Sequence, residues 1–129
     1  MKIIKFRAWD KVMNEMFYDS ELSSGDILII HIDGRLELSD DDTYKVTDFE
    51  LMEFTNLLDK NQVEIYEKDI VKAFKHNEEE FTHQIVWRGG SLWFGNWNWI
   101  EFQNIFRSIE VVGNVYENGE LLDIKKGGE

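Results

Sequence analysis

A chain of 129 residues carrying 26 acidic against 14 basic side chains has room for one domain, or for two small lobes that share a core. It lacks cysteine, which excludes disulfides, thiolate metal sites and a cysteine nucleophile and fits a reducing compartment. Its formal net charge of −12 repels a phosphate backbone at long range, so broad nucleic-acid binding is disfavoured and basic or neutral partner surfaces are favoured.

The N-terminal stretch Met1–Lys11 meets Arg7, Asp10 and Lys11 before any apolar run builds up, so no signal peptide is expected. From Ile3 to Trp9, Ile4, Phe6 and Ala8 alternate with Lys5 and Arg7, the period of a half-buried strand. Asp10 to Glu15 reads as a turn, and Met16-Phe17-Tyr18 as the returning strand. Ser23 to Asp26 is a loop, and the β-branched run Ile27 to Ile32 a strand. The Ile27–Ile30 run is the longest apolar stretch and falls far short of the ~20 residues of a membrane span. Asp33-Gly34, leading into Arg35–Leu38, predicts a hairpin, because both central residues of a type I′ turn need positive φ.

Ser39 to Thr43 reads as an acidic loop. Charge concentrates around it: seven carboxylates between Glu37 and Glu53 stand against Lys45 alone, most simply a solvated face. Asp48 to Leu58 is open between a helix capped by Asp48 and a strand, since its apolar positions fit both periods.

Beyond it the pattern is β again. Short extended runs are expected at Val63–Tyr66, Ile70–Lys75, Phe81–Trp87, Leu92–Phe94, Trp97–Phe102 and Ile109–Tyr116. A short connection at Gln103–Arg107 precedes the last strand. Short strands at this density favour a closed, SH3-type barrel, which removes exposed edges. The expected organisation is an N-terminal β extension over 1–62, a barrel over 63–118 and a loose tail over 119–129.

Three stretches carry a family resemblance: Lys5-Phe6-Arg7-Ala8-Trp9-Asp10-Lys11; Phe54 to Asn61 followed by Glu64 to Val71; and Val112-Gly113-Asn114-Val115-Tyr116-Glu117-Asn118. In this order they resemble the motifs of the YopX family. The resemblance implies a protein of bacterial phages or prophages, with an SH3-type barrel behind a β extension, no assigned enzymatic activity, and no catalytic residues to carry over. It also implies glycine where Asn56, Gln62 and Lys68 stand. Asparagine tolerates positive φ, but lysine there would cost roughly 1 kcal/mol, so a different turn type is expected at Glu67–Asp69.

No arrangement of residues identifies a reaction. His31, His76 and His83 lack partners at zinc spacing. The calcium loops suggested by Asp40 and Asp59 have lysine or glutamate at the sixth position and leucine or isoleucine at the twelfth, where glycine and glutamate are needed. Neither a nucleophile elbow nor a phosphate-binding glycine loop is present. The expectation is a protein that is not an enzyme and uses no cofactor or metal.

The most informative cluster is aromatic: Trp87, Trp93, Phe94, Trp97, Trp99, Phe102 and Phe106. In a strand Trp97 and Trp99 would share one face. These rings either fill the barrel or leave an aromatic shelf, with Trp93, Trp97, Trp99 and Arg88 as its candidate interaction surface. The expected function is a non-catalytic protein-interaction module acting in the bacterial host cytoplasm, its partner a host or phage protein or a second copy. Self-association would use the strand Ile27–Ile32, apolar on both faces apart from His31, together with the exposed rings of Trp97 and Trp99. The alternative is an accessory nucleic-acid-binding protein, for which stacking rings would need nearby cations and find only Arg88 and Arg107.

Overall fold

The computed structural model describes residues 3–18, 26–30, 36–40, 43–46 and 49–122; for the three short segments between 26 and 46 it describes the backbone alone. The fold is mainly β, and the chain forms two compact units.

The first unit is Ile4–Glu53. Strand β1 (Phe6–Asp10) pairs antiparallel with β2 (Glu15–Tyr18), Arg7 opposite Tyr18 and Asp10 opposite Glu15. Their turn is fixed by the buried Asp10. Its Oδ1 accepts from the Val12 and Met13 N–H groups at 2.9 and 3.1 Å, while Asn14 closes the turn at φ 56°. A second sheet joins β3 (Asp26–Ile30), β4 (Leu36–Asp40) and β5 (Thr43–Val46), all antiparallel. Ile30 lies opposite Leu36 and Ile29 opposite Glu37, one residue out of the register that a two-residue Asp33-Gly34 turn would set, which places Ile30 opposite Glu37. The Asp33-Gly34 turn itself, His31 and Ile32, the loop at Ser23–Gly25 and the tail from Asp123 lie outside the described residues.

The acidic stretch Ser39–Thr43 departs from the sequence reading. Ser39 and Asp40 continue β4, and Tyr44 and Thr43 pair with them as part of β5. The aromatic and β-branched Thr43, Tyr44 and Val46 favour an extended backbone, which the run of aspartates masks.

The open segment is a strand, β6 (Phe49–Leu58). Its first half pairs with β1, and its second half, in the other unit, with β7 (Glu64–Tyr66). Between Phe54 and Leu57 the register shifts, with Asn56 at φ 68°. The Asn56 side chain accepts from the Ile3 N–H at 2.6 Å and donates to the Ile3 carbonyl at 2.9 Å.

The rest of the second unit is a five-stranded antiparallel sheet, curled as a half-barrel. It contains β8 (Asp69–Lys75), β9 (Glu80–Arg88), β10 (Ser91–Phe94), β11 (Trp97–Asn98) and β12 (Phe106–Asn114), in the order β11-β10-β9-β8-β12. Gly89 and Gly90, at φ 60° and 83°, make the two-residue turn between β9 and β10 that the Arg88–Ser91 sequence predicts. One face is the core: Val71, Ala73, Ile85, Leu92, Phe94 and Ile109 point inward and close on Ile65, Phe102 and Phe106.

The predicted strand Trp97–Phe102 is corrected. Only Trp97 and Asn98 are extended, and α1 (Trp99–Ile105) follows at once. Asn98 and Glu101 decide this by forming a reciprocal N-terminal cap. Alternating polar and aromatic residues in Asn96–Trp99 imitate a strand, but Trp99, Phe102 and Phe106 also recur at helical spacing. The Gln103–Arg107 connection is accordingly the end of α1 and the start of β12.

Candidate functional site

Helix α1 positions a run of rings. Trp99 stacks on Phe102 with centroids 4.6 Å apart and planes 8° from parallel, and Phe102 stacks on Phe106 at 4.8 Å and 24°. Phe102 and Phe106 are buried, while Trp99 is half-buried. Beside this stack an open cleft of ≈ 490 Å³ is lined by Trp99, Phe102 and Gln103 of α1, by Leu58, Asp59 and Lys60, and by the first residues of β12 from Phe106 to Ile109. Leu58 presents a side chain 48% exposed there.

Two cations line the same cleft. Arg107 sits where the β12–β8 register skips between Phe106 and Ser108, a bulge that re-aims its side chain. Its Nη2 donates to both carboxylate oxygens of Glu78 at 2.8 and 2.7 Å, and the guanidinium lies 5.9 Å from the Phe74 ring centre. Lys60 Nζ lies 5.5 Å from the same ring and 3.8 Å from Glu110. Both ion pairs are solvent-exposed and hold their partners weakly.

The carboxylate of the cleft is used internally. Asp59 is buried; its Oδ1 accepts from the Asn61 and Val63 N–H groups at 2.7 and 2.9 Å, and its Oδ2 from the Val111 N–H at 2.8 Å. Burial alone would raise its pKa. The hydrogen bonds from Val111, Val63 and Asn61, with the Lys60 charge, outweigh burial and hold it below the ordinary 3.8. With the Lys60 N–H donating to the Ile109 carbonyl at 3.0 Å, Asp59 ties its turn to the edge of β12. A carboxylate with its lone pairs on three amides is a structural group, poorly suited to proton transfer.

The sequence-predicted surface divides into separate places. Trp93 and Arg88 come together: the guanidinium lies 4.4 Å from the indole ring centre, and Trp93 Nε1 donates to the Arg88 carbonyl at 3.0 Å. Trp93 is opposite Val86 and Asn98, whereas Trp97 is opposite Phe94 and so lies on the core face. There Trp97 packs edge-on against Phe81 and Phe106, at 5.2 and 5.1 Å. Trp99 does not share a strand face with Trp97; it belongs to α1 and the cleft. Lys60 and Asp59 escaped sequence reasoning as cleft residues because nothing local to 58–60 signals its meeting with 99–109. Among the described residues no group of three or more His, Asp or Glu side chains is placed to hold a metal ion, and no helix is long and apolar enough to cross a membrane.

Residues 5–123 match the family described as YopX protein. The chain belongs to the YopX family. It is similar to protein EF1440 from Enterococcus faecalis, known from a crystal structure, with 27% identity and a TM-score of 0.63 over 95% of this chain and 99% of that one. It is also similar in fold to the crystal structure of protein YopX from Bacillus subtilis, with a TM-score of 0.65 over 91% of this chain and 96% of that one, at 22% identity. No curated protein matches the sequence. The three positions where the YopX resemblance implies glycine all have positive φ: Asn56 at 68°, Gln62 at 68° and Lys68 at 69°. The Glu67–Asp69 turn therefore keeps the left-handed backbone despite its lysine, against the expected change of turn type. The Lys68 N–H donates to the Ile85 carbonyl at 2.7 Å and its carbonyl accepts from the Val115 N–H at 3.0 Å, which fixes the residue at both ends.

Proposed function

We propose that this YopX-family protein is a non-catalytic module that binds a protein partner through the cleft beside Trp99. The observation that carries the reading is the cleft itself: an open space of ≈ 490 Å³ floored by stacked aromatic rings, whose buried carboxylate is committed to backbone amides. Aromatic rings held rigid by stacking are good anchors for a partner side chain, because little conformational freedom is lost on binding. The curled sheet with a short helix before its last strand fits the SH3-type barrel that the resemblance implies. The same resemblance supports a phage or prophage setting, with the partner met in the bacterial cytoplasm.

Affinity capture from a bacterial host lysate, with crosslinking, tests the reading. The wild-type protein is expected to retain a discrete protein that Trp99→Ala loses while keeping the wild-type circular dichroism spectrum. In parallel, labelled DNA and RNA are titrated at low and moderate salt. Tight binding that weakens steeply with salt would replace this reading with a nucleic-acid-binding one.

A further inference from the structure

We infer that the cleft accepts an extended peptide segment that places one apolar side chain against Trp99 and Phe102 and sets one carboxylate against Arg107 and Lys60. This rests on the protein-binding reading above and names the chemistry of the partner.

The apolar half follows from the lining. Trp99 is half-buried and lines the cleft, Leu58 stands 48% exposed, and the space lies within the range that specific ligands and anchor side chains fill. Extended peptides bind such clefts through one or two anchors, with main chain between them.

The anionic half follows from charge. Of the charged residues that line the cleft, Asp59 has both oxygens occupied by amides, whereas Lys60 and Arg107 are held only by exposed ion pairs with Glu110 and Glu78, neither of which lines the cleft. Arg107 uses only Nη2, on Glu78; among the described residues its Nη1 and Nε donate to nothing. The Glu78 side chain is 74% exposed, so the pair is readily exchanged for a carboxylate arriving from outside. The cleft thus offers two cations, each in a weak, exchangeable surface ion pair, on a chain of net charge −12. That contrast limits the ligand. A polyanion, whether nucleic acid or an acidic tract, meets long-range repulsion that two cations do not offset, and a second copy of this chain meets the same repulsion. One carboxylate beside an apolar anchor gains the local attraction with little of the penalty, since at ~0.15 M salt charges beyond about 8 Å are screened.

The test is to pan a randomised heptapeptide display library against the intact protein, then measure the enriched peptides by fluorescence anisotropy. Enriched sequences are expected to share an apolar or aromatic residue with an Asp or Glu within two positions. Their affinity should fall about tenfold or more in Trp99→Ala, a loss of about 1.4 kcal/mol, and severalfold in Arg107→Gln. It should survive in Trp99→Phe, which keeps a stacking ring, and in Trp93→Ala, remote from the cleft. Thermal unfolding of each variant controls for folding. Peptides enriched without an acid, or bound equally by the Trp99 and Arg107 variants, overturn the cleft assignment while leaving a protein-binding function elsewhere on the chain. A library that yields nothing above background removes both.

Discussion

Asp59 and Val111 are joined across 52 residues of sequence by a 2.8 Å hydrogen bond from the Val111 N–H to Asp59 Oδ2. This bond ties the turn after β6 to the last strand, and Asp59 Oδ1 holds the turn's own shape. Asp59→Ala leaves three N–H groups without their acceptor and is expected to destabilise by about 3 kcal/mol or more in urea titration. Asp59→Asn keeps one acceptor oxygen and should cost less. The folded pKa of Asp59 lies below its unfolded value, so its contribution is full above pH ~3.9 and is lost as pH falls through the folded pKa. The Asn variant should accordingly lose less stability than wild type on acidification in this range. Equal acid sensitivity in the two proteins would count against the assigned role.

Much of this architecture is legible in the sequence. The alternations at Phe6–Trp9, Ile70–Lys75 and Phe81–Trp87 mark strands, but not always the buried face: Arg7, Ala8 and Trp9 are all buried while Ile4 is exposed, and Ile70 and Val71, on opposite faces of β8, are both fully buried. Gly89-Gly90 marks its hairpin because the turn demands positive φ at both residues. What hides is non-local or doubly coded. Phe49–Leu58 satisfies both helical and strand periods, and β1 and β7 decide between them. Trp97–Phe102 reads as a strand until Asn98 and Glu101 are recognised as a cap. The cleft is hidden most fully, because it joins Leu58–Lys60 to Trp99–Ile109 with no local signal at either end.

That cap gives the second prediction. Asn98 Oδ1 accepts from the Glu101 N–H at 2.9 Å, and Glu101 Oε1 accepts from the Asn98 N–H at 3.0 Å. Asn98→Ala should destabilise by about 1 kcal/mol, and Asn98→Asp, another good capping residue, should be nearly neutral. Because α1 carries Trp99 and Phe102 into the cleft, the alanine variant should also weaken peptide binding. Matched stabilities for the Ala and Asp variants in chemical denaturation would show that the cap does not hold the helix.

Lys68 and Gln62 occupy left-handed backbone at φ 69° and 68°. Lys68→Gly and Gln62→Gly are each expected to raise stability by a few tenths of a kcal/mol, up to about 1, the strain of an L side chain there less the added freedom of the unfolded chain. For Lys68 the gain is reduced by losing its ammonium from above the Tyr116 ring, 5.9 Å away. Urea midpoints decide the matter; a loss of stability in both variants would contradict the backbone assignment.

Gly113 behaves oppositely. It lies at a register shift of β12, opposite Ile70, and a Cβ there would overlap the side chain of Asn118. Gly113→Ala should destabilise by roughly 1–3 kcal/mol, the cost of overpacking. Asn118 Oδ1 also accepts from the Asn114 N–H at 3.1 Å, so Asn118→Gly has its own cost. In a double-mutant cycle the pair should be less destabilised than the sum of the single changes. Simple additivity would place the clash elsewhere.

Glu78 joins the turn to the cleft. The β8–β9 connection closes with the Glu78 N–H donating to the Lys75 carbonyl at 3.0 Å and the Lys75 N–H donating to the Glu79 carbonyl at 2.9 Å. Glu78 takes the left-handed position at φ 71°, which glycine fills without strain. Its side chain meanwhile occupies Arg107 Nη2 with both oxygens. Glu78→Gly therefore acts twice. It removes backbone strain, at the loss of an exposed ion pair worth roughly 0–1 kcal/mol, so stability should stay level or rise slightly. It also releases the whole Arg107 guanidinium, so an acid-bearing peptide should bind severalfold more tightly. Glu78→Gln separates the effects: it keeps the backbone strain, weakens the hold on Arg107, and should tighten binding without stabilising. If neither variant binds an acidic peptide better than wild type, the partner's carboxylate does not meet Arg107.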